Sequence, residues 1–568
     1  MNLNLVNDKF WLEFDHYNPA WVSQIHGIPG GRWNSEARVW VLPKDLETLQ
    51  AIVTYFPFVK LSDSVQEWKR NFLAKIESNL VMKNMPAPLI DWSAFSFNPL
   101  YPPFKHQLIG AEILISNKHF ALTMDMGCGK TATEIYFLSY LKSKGIKVKC
   151  LIVAPLTILK QWGKEINKHS IFPLSYSILL GSKFQRLREL EKQTDIHIVN
   201  YDYVHTLLPQ LEKKGFNVII CDEMHKIKNR TALQSKACYK IGKLCLMRHG
   251  LTGTTITNNP LDVFGQFKFI NEEILGSNYF GFQNRYAIMV TNGRARFPVR
   301  FINLDELAQR IKPWVYRVTK KECLDLPDKN YETRTVSLDG EAKILYKTLA
   351  KELAAWLDTG ELVTAPIVIT KLLRFSQICS GFIKTEMGET KEVKGSGKLK
   401  ELEDIVSQCE GKLVIWTRFK KELSLVTDML GANKVSYLVL DGDTPQDRRQ
   451  EILDRFQDTD VKVFVSNIQA GGIGINLTSA NTCVFMSNPY SLGLRLQAED
   501  RLHRIGQKHP VTYIDIVCED SIDEKILQMI NQKQDLADII NGATDMRSFV
   551  KELILKEEVN NEHRGYEQ

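Results

Sequence analysis

The stretch HFALTMDMGCGKTATEIYFLSYL, residues 119–141, decides the fold of this chain. Its first six residues read as an apolar strand, the glycines that follow as a tight turn, and the segment from Lys130 onward as a helix. A strand that runs into a glycine turn and then a helix is the unit from which open parallel sheets are built. In the turn, Gly127 and Gly129, with Met126 and Cys128 around them, let backbone N–H groups converge on phosphate oxygens. Lys130 then reaches the β- and γ-phosphates of a nucleotide, and the Thr131 hydroxyl can ligate Mg2+. The full GxxxxGK[ST] pattern has glycine where this chain has Met124, so the loop must be read together with its partners.

Two further segments supply them. NVIICDEMH, residues 217–225, brings a short apolar strand straight into two adjacent carboxylates. Asp222 is placed to hold the magnesium, directly or through water, and Glu223 to polarise the attacking water for in-line transfer. His225 reads as a coupler to the next motif. QAEDRLHRIGQ, residues 497–507, carries Gln497, Arg501, Arg504 and Gln507. Its arginines share one face if the segment is helical. An arginine presented to a transferring phosphoryl group is worth ~10³–10⁵ in rate in other phosphoryl-transfer enzymes. The three segments together predict an enzyme that hydrolyses ATP with Mg2+, using Lys130, Asp222, Glu223, Arg501 and Arg504.

Composition narrows the class. A chain of 568 residues exceeds a single core and predicts several domains, and 44% hydrophobic with 24% charged residues is ordinary globular usage. The ten cysteines are scattered without a CxxC pair, which argues against a zinc site or a disulfide framework and fits a reducing cytosol. No apolar run approaches the ~18–20 residues of a membrane span, and the N-terminus lacks a signal pattern. A cytoplasmic protein of bacterial or viral origin is expected. A net charge of +7 permits nucleic-acid binding without arguing for it.

Along the chain, apolar strands ending in polar or glycine motifs recur in two series. HFALTM, KCLIVAP, IHIVNY, NVIICDE and HGLTGT fall within 98–320, and KLVIWT, SYLVLDG, KVFVSN, TCVFMS and VTYIDIV within 396–540. These predict two α/β lobes. Residues 1–60 read as a small aromatic-rich module, 61–97 as a connector, 321–395 as a helical inter-lobe region and 541–568 as a polar tail.

At this point the motifs resemble a family, the Swi/Snf-type branch of superfamily-two helicase-like ATPases, over roughly residues 98–540. FKHQLIGAEIL with Gln107 is similar to the adenine-reading Q motif. VAPLTILKQWGKE (153–165), NYDYV (200–204), LTGTTITNNPLDVF (251–264), VYRVTKKECLDLP (315–327), LLRFSQICSG (372–381), LDGDTPQDRRQEILDRF (440–456) and VSNIQAGGIGINLTSAN (465–481) resemble further ordered motifs of that branch. The chain departs from it at Met124, at Cys128 and at SNPYS (487–491), where a tryptophan-containing motif is usual. The resemblance implies tandem RecA-like lobes with an ATP cleft between them, Gln107, Gly472 and Gln497 at the nucleotide, and DNA lying across both lobes. Thr157, Thr252, Thr417, Ser466 and Gln469 are the expected contacts to its phosphates, since hydroxyl and amide groups bind phosphate without reading sequence.

The N-terminal IPGGRWN followed by VWVLP resembles the HARP module of annealing helicases, over about 50 residues. Arg32, Trp33, Arg38 and Trp40 offer ring faces beside positive charge, a combination suited to frayed or single-stranded DNA. The expected activity is ATP-driven translocation on duplex DNA that remodels forks or branches. A strand-separating helicase, a factor that strips RNA polymerase or other proteins from DNA, and a non-catalytic DNA scaffold are the alternatives.

Overall fold

The computed structural model describes residues 1–253, 260–292, 295–323, 325–358, 365–385, 388–471 and 475–532. They divide into two compact units, the first formed by 1–289 with 300–323 and the second by 290–299 with the chain from Leu324 onward.

The first unit begins with a five-stranded sheet in the order β3-β4-β2-β1-β5, from β1 (Asn2–Val6), β2 (Lys9–Glu13), β3 (Arg32–Asn34), β4 (Val39–Leu42) and β5 (Lys60–Leu61). Asn7 and Asp8 join β1 to β2 with φ of 47° and 60°, the left-handed pair that a two-residue hairpin turn needs and that Asn and Asp tolerate. Leu3, Phe10, Leu12, Leu42, Ile25 and Ile52 bury their side chains completely between this sheet and the helices Pro19–His26 and Leu46–Tyr55.

The segment expected to be a connector is in fact the seat of this module. The helix Asp63–Lys83 gives Val65 to the core of the small sheet and Phe72 to the core of the larger sheet. Trp68 lies between them, 5.2 Å from the Phe10 ring and 5.6 Å from Phe72, which in turn packs 5.3 Å from Trp314. Lys44–Glu273 and the pairs of Glu47 with Arg285 and Arg310 add ionic contacts along the same junction.

The larger sheet has the order β14-β6-β11-β10-β7-β9-β8 and is parallel throughout. Its strands are β6 (His119–Met124), β7 (Cys150–Ala154), β8 (Tyr176–Ile178), β9 (Ile196–Asn200), β10 (Val218–Cys221), β11 (Met247–Leu251) and β14 (Val315–Val318); β12 (Ala287–Asn292) and β13 (Ala295–Phe301) form a separate two-stranded sheet. Every residue of β7, β9 and β10 is buried, which is why β7 and β10 read as continuous apolar runs and not as alternation.

The second unit holds β15 (Lys329–Val336), the short hairpin β16 (Phe382–Lys384) with β17 (Thr390–Glu392), and β18 (Leu413–Thr417), β19 (Tyr437–Leu440), β20 (Val463–Asn467), β21 (Thr482–Phe485) and β22 (Val511–Cys518). Its main sheet, β15-β22-β21-β18-β20-β19, is also parallel throughout. The fold is therefore α/β, with a parallel sheet in each unit and a small α+β module at the N-terminus. The 321–395 segment is not helical throughout: besides the helices Gly340–Asp358 and Ala365–Cys379 it contributes β15, paired along its whole length with β22. KNYETRTV is mostly polar because it is a sheet edge, and an exposed edge carries no apolar signal. The tail at 541–568 lies outside the described residues.

Candidate active site

The phosphate loop is tied down before it reaches Lys130. At its start the Asp125 N–H donates to Val318 O at 2.8 Å, and the Asp125 carboxylate accepts the Lys320 N–H at 3.0 Å, so the exit of β14 fixes the exit of β6. Gly127 and Gly129 have φ of 87° and 86°, the left-handed backbone that favours glycine. A Cβ on Gly129 would also lie 2.1 Å from the Gln107 amide nitrogen. That amide donates to Cys128 O (3.3 Å) and its oxygen accepts from the Phe104 N–H (3.1 Å), while a His106 ring nitrogen sits 2.7 Å from the same Cys128 carbonyl. Gln107 thus braces the loop. The Cys128 thiol is buried 3.4 Å from the Cys323 sulfur, and burial pushes it well above the usual thiol range. Lys130 opens the helix Lys130–Ser143 and donates to Met124 O (2.8 Å) and Asp125 O (3.3 Å). Thr131 follows on the first turn, where helix N–H groups and dipole favour an anion.

The acids stand at the end of β10. The Asp222 N–H still belongs to the sheet, donating to Val153 O at 2.8 Å. Its carboxylate accepts the Trp162 indole N–H at 2.8 Å through one oxygen and the Glu223 N–H at 2.8 Å through the other. Burial raises the Asp222 carboxyl, to about 6, and the charge of Glu223 adds to the rise; the Trp162 hydrogen bond and the Lys130 ammonium oppose it. Lys130 and Asp222 therefore share one electrostatic field. Glu223 leaves the strand with φ of 50°, a left-handed conformation costing a non-glycine residue ~1–2 kcal/mol, and its carboxylate lies 3.2 Å from the His225 Nδ1. The donors fit Mg2+: a carboxylate and the Thr131 hydroxyl are hard oxygen ligands, and a carboxylate that accepts two hydrogen bonds keeps lone pairs for a cation or its water.

In the second unit the arginine segment departs from the expectation of a helical face. The helix Leu492–Glu499 stops at Glu499, with Gln497 half-buried on it, and residues 500–506 form turns that end at Gly506, φ 100°. Arg501 and Arg504 therefore do not share a helix stripe. Arg501 is buried, its carbonyl accepting the Leu477 N–H at 3.0 Å, and Arg504 is half-buried with one guanidinium nitrogen 3.3 Å from Ile475 O. Gln507 donates to Ala480 O at 2.9 Å and to Thr478 O at 3.3 Å and so fastens the segment. Gly472 lies outside the described residues. Sequence reasoning missed Arg495, which is fully buried, donates to Glu499 (2.9 Å) and Asp515 (3.1 Å), and stacks 3.5 Å from the Phe485 ring centre. The spacing of Arg495 and Glu499 by one helical turn was its one signal. Trp162 was missed as well.

The expected DNA contacts separate by exposure. Thr157, in the short turn after β7, and Gln469 are exposed. Thr252, Thr417 and Ser466 are not available to a phosphate: all three are fully buried, with the Ser466 hydroxyl donating to Leu440 O and that of Thr417 to Ser466 O. Those three assignments are corrected by burial, and the Thr417 and Ser466 hydroxyls satisfy carbonyls at strand ends. Trp40 is corrected too. It is 6% exposed and belongs to the core of the module, whereas Trp33, 52% exposed, leans on it at 5.6 Å. Arg32 and Arg38 are exposed as well.

Residues 64–383 match the SNF2-related domain, and residues 397–506 match the helicase conserved C-terminal domain. The chain is similar to the uncharacterized ATP-dependent helicase MG018 of Mycoplasma genitalium, 26% identical over 77% of this chain and 42% of that protein. It is similar to a Caenorhabditis elegans homologue of the SWI/SNF-related matrix-associated actin-dependent regulator of chromatin subfamily A-like protein 1, 25% identical over 95% of this chain and 76% of that protein. With the mouse DNA excision repair protein ERCC-6 it shares 26% identity over 79% of this chain and 33% of that protein. The chain thus spans less than half the length of the Mycoplasma and mouse relatives. The family model covers more than half of the chain, and with the second match it leaves one conclusion: the chain belongs to the SNF2 family of helicase-like ATPases.

Proposed function

We propose that the chain is an ATP-driven translocase on double-stranded DNA that remodels forked or branched structures. The observation that carries the motor reading is the common edge of one parallel sheet. The loop after β6 presents Lys130 and Thr131, and the end of β10 presents Asp222 and Glu223, with β11 between the two strands. Lys130 binds the phosphates, and Asp222 with Thr131 holds Mg2+. Bound there, the cation neutralises charge on the phosphates. Glu223, turned out of the strand, polarises the attacking water for in-line transfer, and Arg504 offsets charge on the transferring phosphoryl group.

Fork recognition rests on the module. Trp33 presents an exposed ring backed by Trp40, which suits stacking on an unpaired base, and the exposed Arg32 and Arg38 add positive charge to the same module. The similarity to the C. elegans protein, over 95% of this chain, takes in part of the module. Thr157 and Gln469 remain the phosphate contacts of this reading. The test is an ATPase assay with no nucleic acid, single strand, duplex, fork, four-way junction and RNA. Duplex and forked DNA should stimulate most; equal stimulation by RNA or none by duplex refutes the reading. Displacement of an oligonucleotide from a simple partial duplex would favour the strand-separating helicase instead. Copurification with RNA polymerase and indifference to DNA structure would favour a protein-stripping factor.

A further inference from the structure

The turn and helix after β7 contain a residue whose contact the proposed chemistry does not yet use. Trp162 is among the largest fully buried side chains of the chain, on the inner face of the helix Leu159–His169 with Leu159 and Ile166. A buried indole normally finds an acceptor for its N–H. Here the acceptor is not a backbone carbonyl but the Asp222 carboxylate, at 2.8 Å. The other Asp222 oxygen is held by the Glu223 N–H, and the Asp222 carbonyl by the Tyr201 hydroxyl at 2.7 Å. The carboxylate is thereby fixed in rotation by a donor from one neighbouring element, and its backbone by a donor from another.

We infer that Trp162 is a positioning residue for the nucleotide-bound metal: its indole N–H sets the orientation of the Asp222 carboxylate so that the free lone pairs face the cation or its water. This rests on the reading of Asp222 as a magnesium-holding group. A group that holds a metal ligand in place by a hydrogen bond acts through that ligand, and losing it typically lowers metal affinity 10- to 100-fold. The ring also fills the core, so packing and orientation must be separated.

The experiment uses the full chain with Trp162→Phe, which keeps an aromatic ring and removes the donor. Binding of N-methylanthraniloyl-ADP is titrated without metal and against Mg2+, and hydrolysis is followed against Mg2+ in parallel. Affinity for the nucleotide without metal should stay within about twofold of the unsubstituted chain, while the Mg2+ concentration at half-effect rises roughly tenfold in both measurements. Trp162→Phe should add little to Asp222→Asn, because the indole works through that carboxylate. An unchanged Mg2+ midpoint, or an effect that adds in full to Asp222→Asn, overturns the inference and makes Trp162 a packing residue. Should Trp162→Phe fail to fold, the benzothienyl isostere of tryptophan at position 162, which lacks the N–H, makes the same test. Failure of the underlying site reading looks different: the unsubstituted chain itself would then show no Mg2+-dependent nucleotide binding.

Discussion

The acidic end of β10 and the arginine segment after Glu499 both put charge at the margin of a parallel sheet, and they fix it differently. Asp222 is immobilised on the spot, by the Trp162 and Glu223 N–H groups on its two oxygens. On the helix just before the arginine segment the firm anchor is Arg495, sunk in the core against Glu499 and Asp515, while Arg504 lies half-buried in the turn that follows, with a carbonyl at 3.3 Å. A group that must receive a metal benefits from having its geometry set beforehand. A guanidinium that follows charge through a reaction can leave its fixity to a neighbour.

That contrast can be broken in order of effect. Lys130→Ala removes the ammonium proposed to meet the phosphates and should take hydrolysis to background, a loss of at least ~10³-fold, with duplex affinity within about twofold of the unsubstituted chain. Near-normal turnover in a steady-state ATPase assay would remove the phosphate loop from the account. Arg504→Ala should lower DNA-stimulated kcat by roughly 10³-fold, the lower end for such arginines, and leave KM for ATP within a few fold. A raised KM at unchanged kcat would make Arg504 a ground-state contact.

Arg495→Ala should act on stability. Removing one partner of a buried ion pair leaves the other charge uncompensated and costs ~3–5 kcal/mol, read as a large fall in the denaturation midpoint of the second unit. If stability holds and only kcat falls, the division of labour between Arg495 and Arg504 is wrong.

The module offers the smallest and most selective change. Trp33→Ala should lower the preference for forks over plain duplex about tenfold, since stacking on one base is worth ~1–3 kcal/mol, with the melting temperature unchanged. Trp40→Ala should instead destabilise the module by ~3–5 kcal/mol as a core deletion. Fork preference that survives Trp33→Ala intact would place recognition elsewhere. Point substitutions are the right tool here. Cutting the chain at about residue 90 would strip Phe72 from Trp314 and expose the core of the larger sheet.

Strands such as β7 and β10 were legible because they are buried on both faces and read as apolar runs; all ten strands of the two expected series are present. What escaped did so for identifiable reasons. β15 is a polar edge, and NLNLV at the N-terminus alternates too briefly to declare a strand before its hairpin partner is known. The arginine helix looked longer than it is because nothing in QAEDRLHRIGQ before Gly506 breaks a helix locally. Thr417 and Ser466 show the limit of motif reading: a hydroxyl at a strand end looks the same whether it faces solvent or a neighbouring carbonyl. Trp40 and Trp33 pair directly across β3 and β4, yet one is core and the other exposed.

ATP-driven movement along duplex DNA is tested by displacement of a triplex-forming oligonucleotide from a plain duplex, since translocation removes the third strand without separating the other two. The account predicts ATP-dependent release by the full chain and none by Lys130→Ala under the same conditions. DNA-stimulated hydrolysis without any release, or release that does not need ATP, would contradict it.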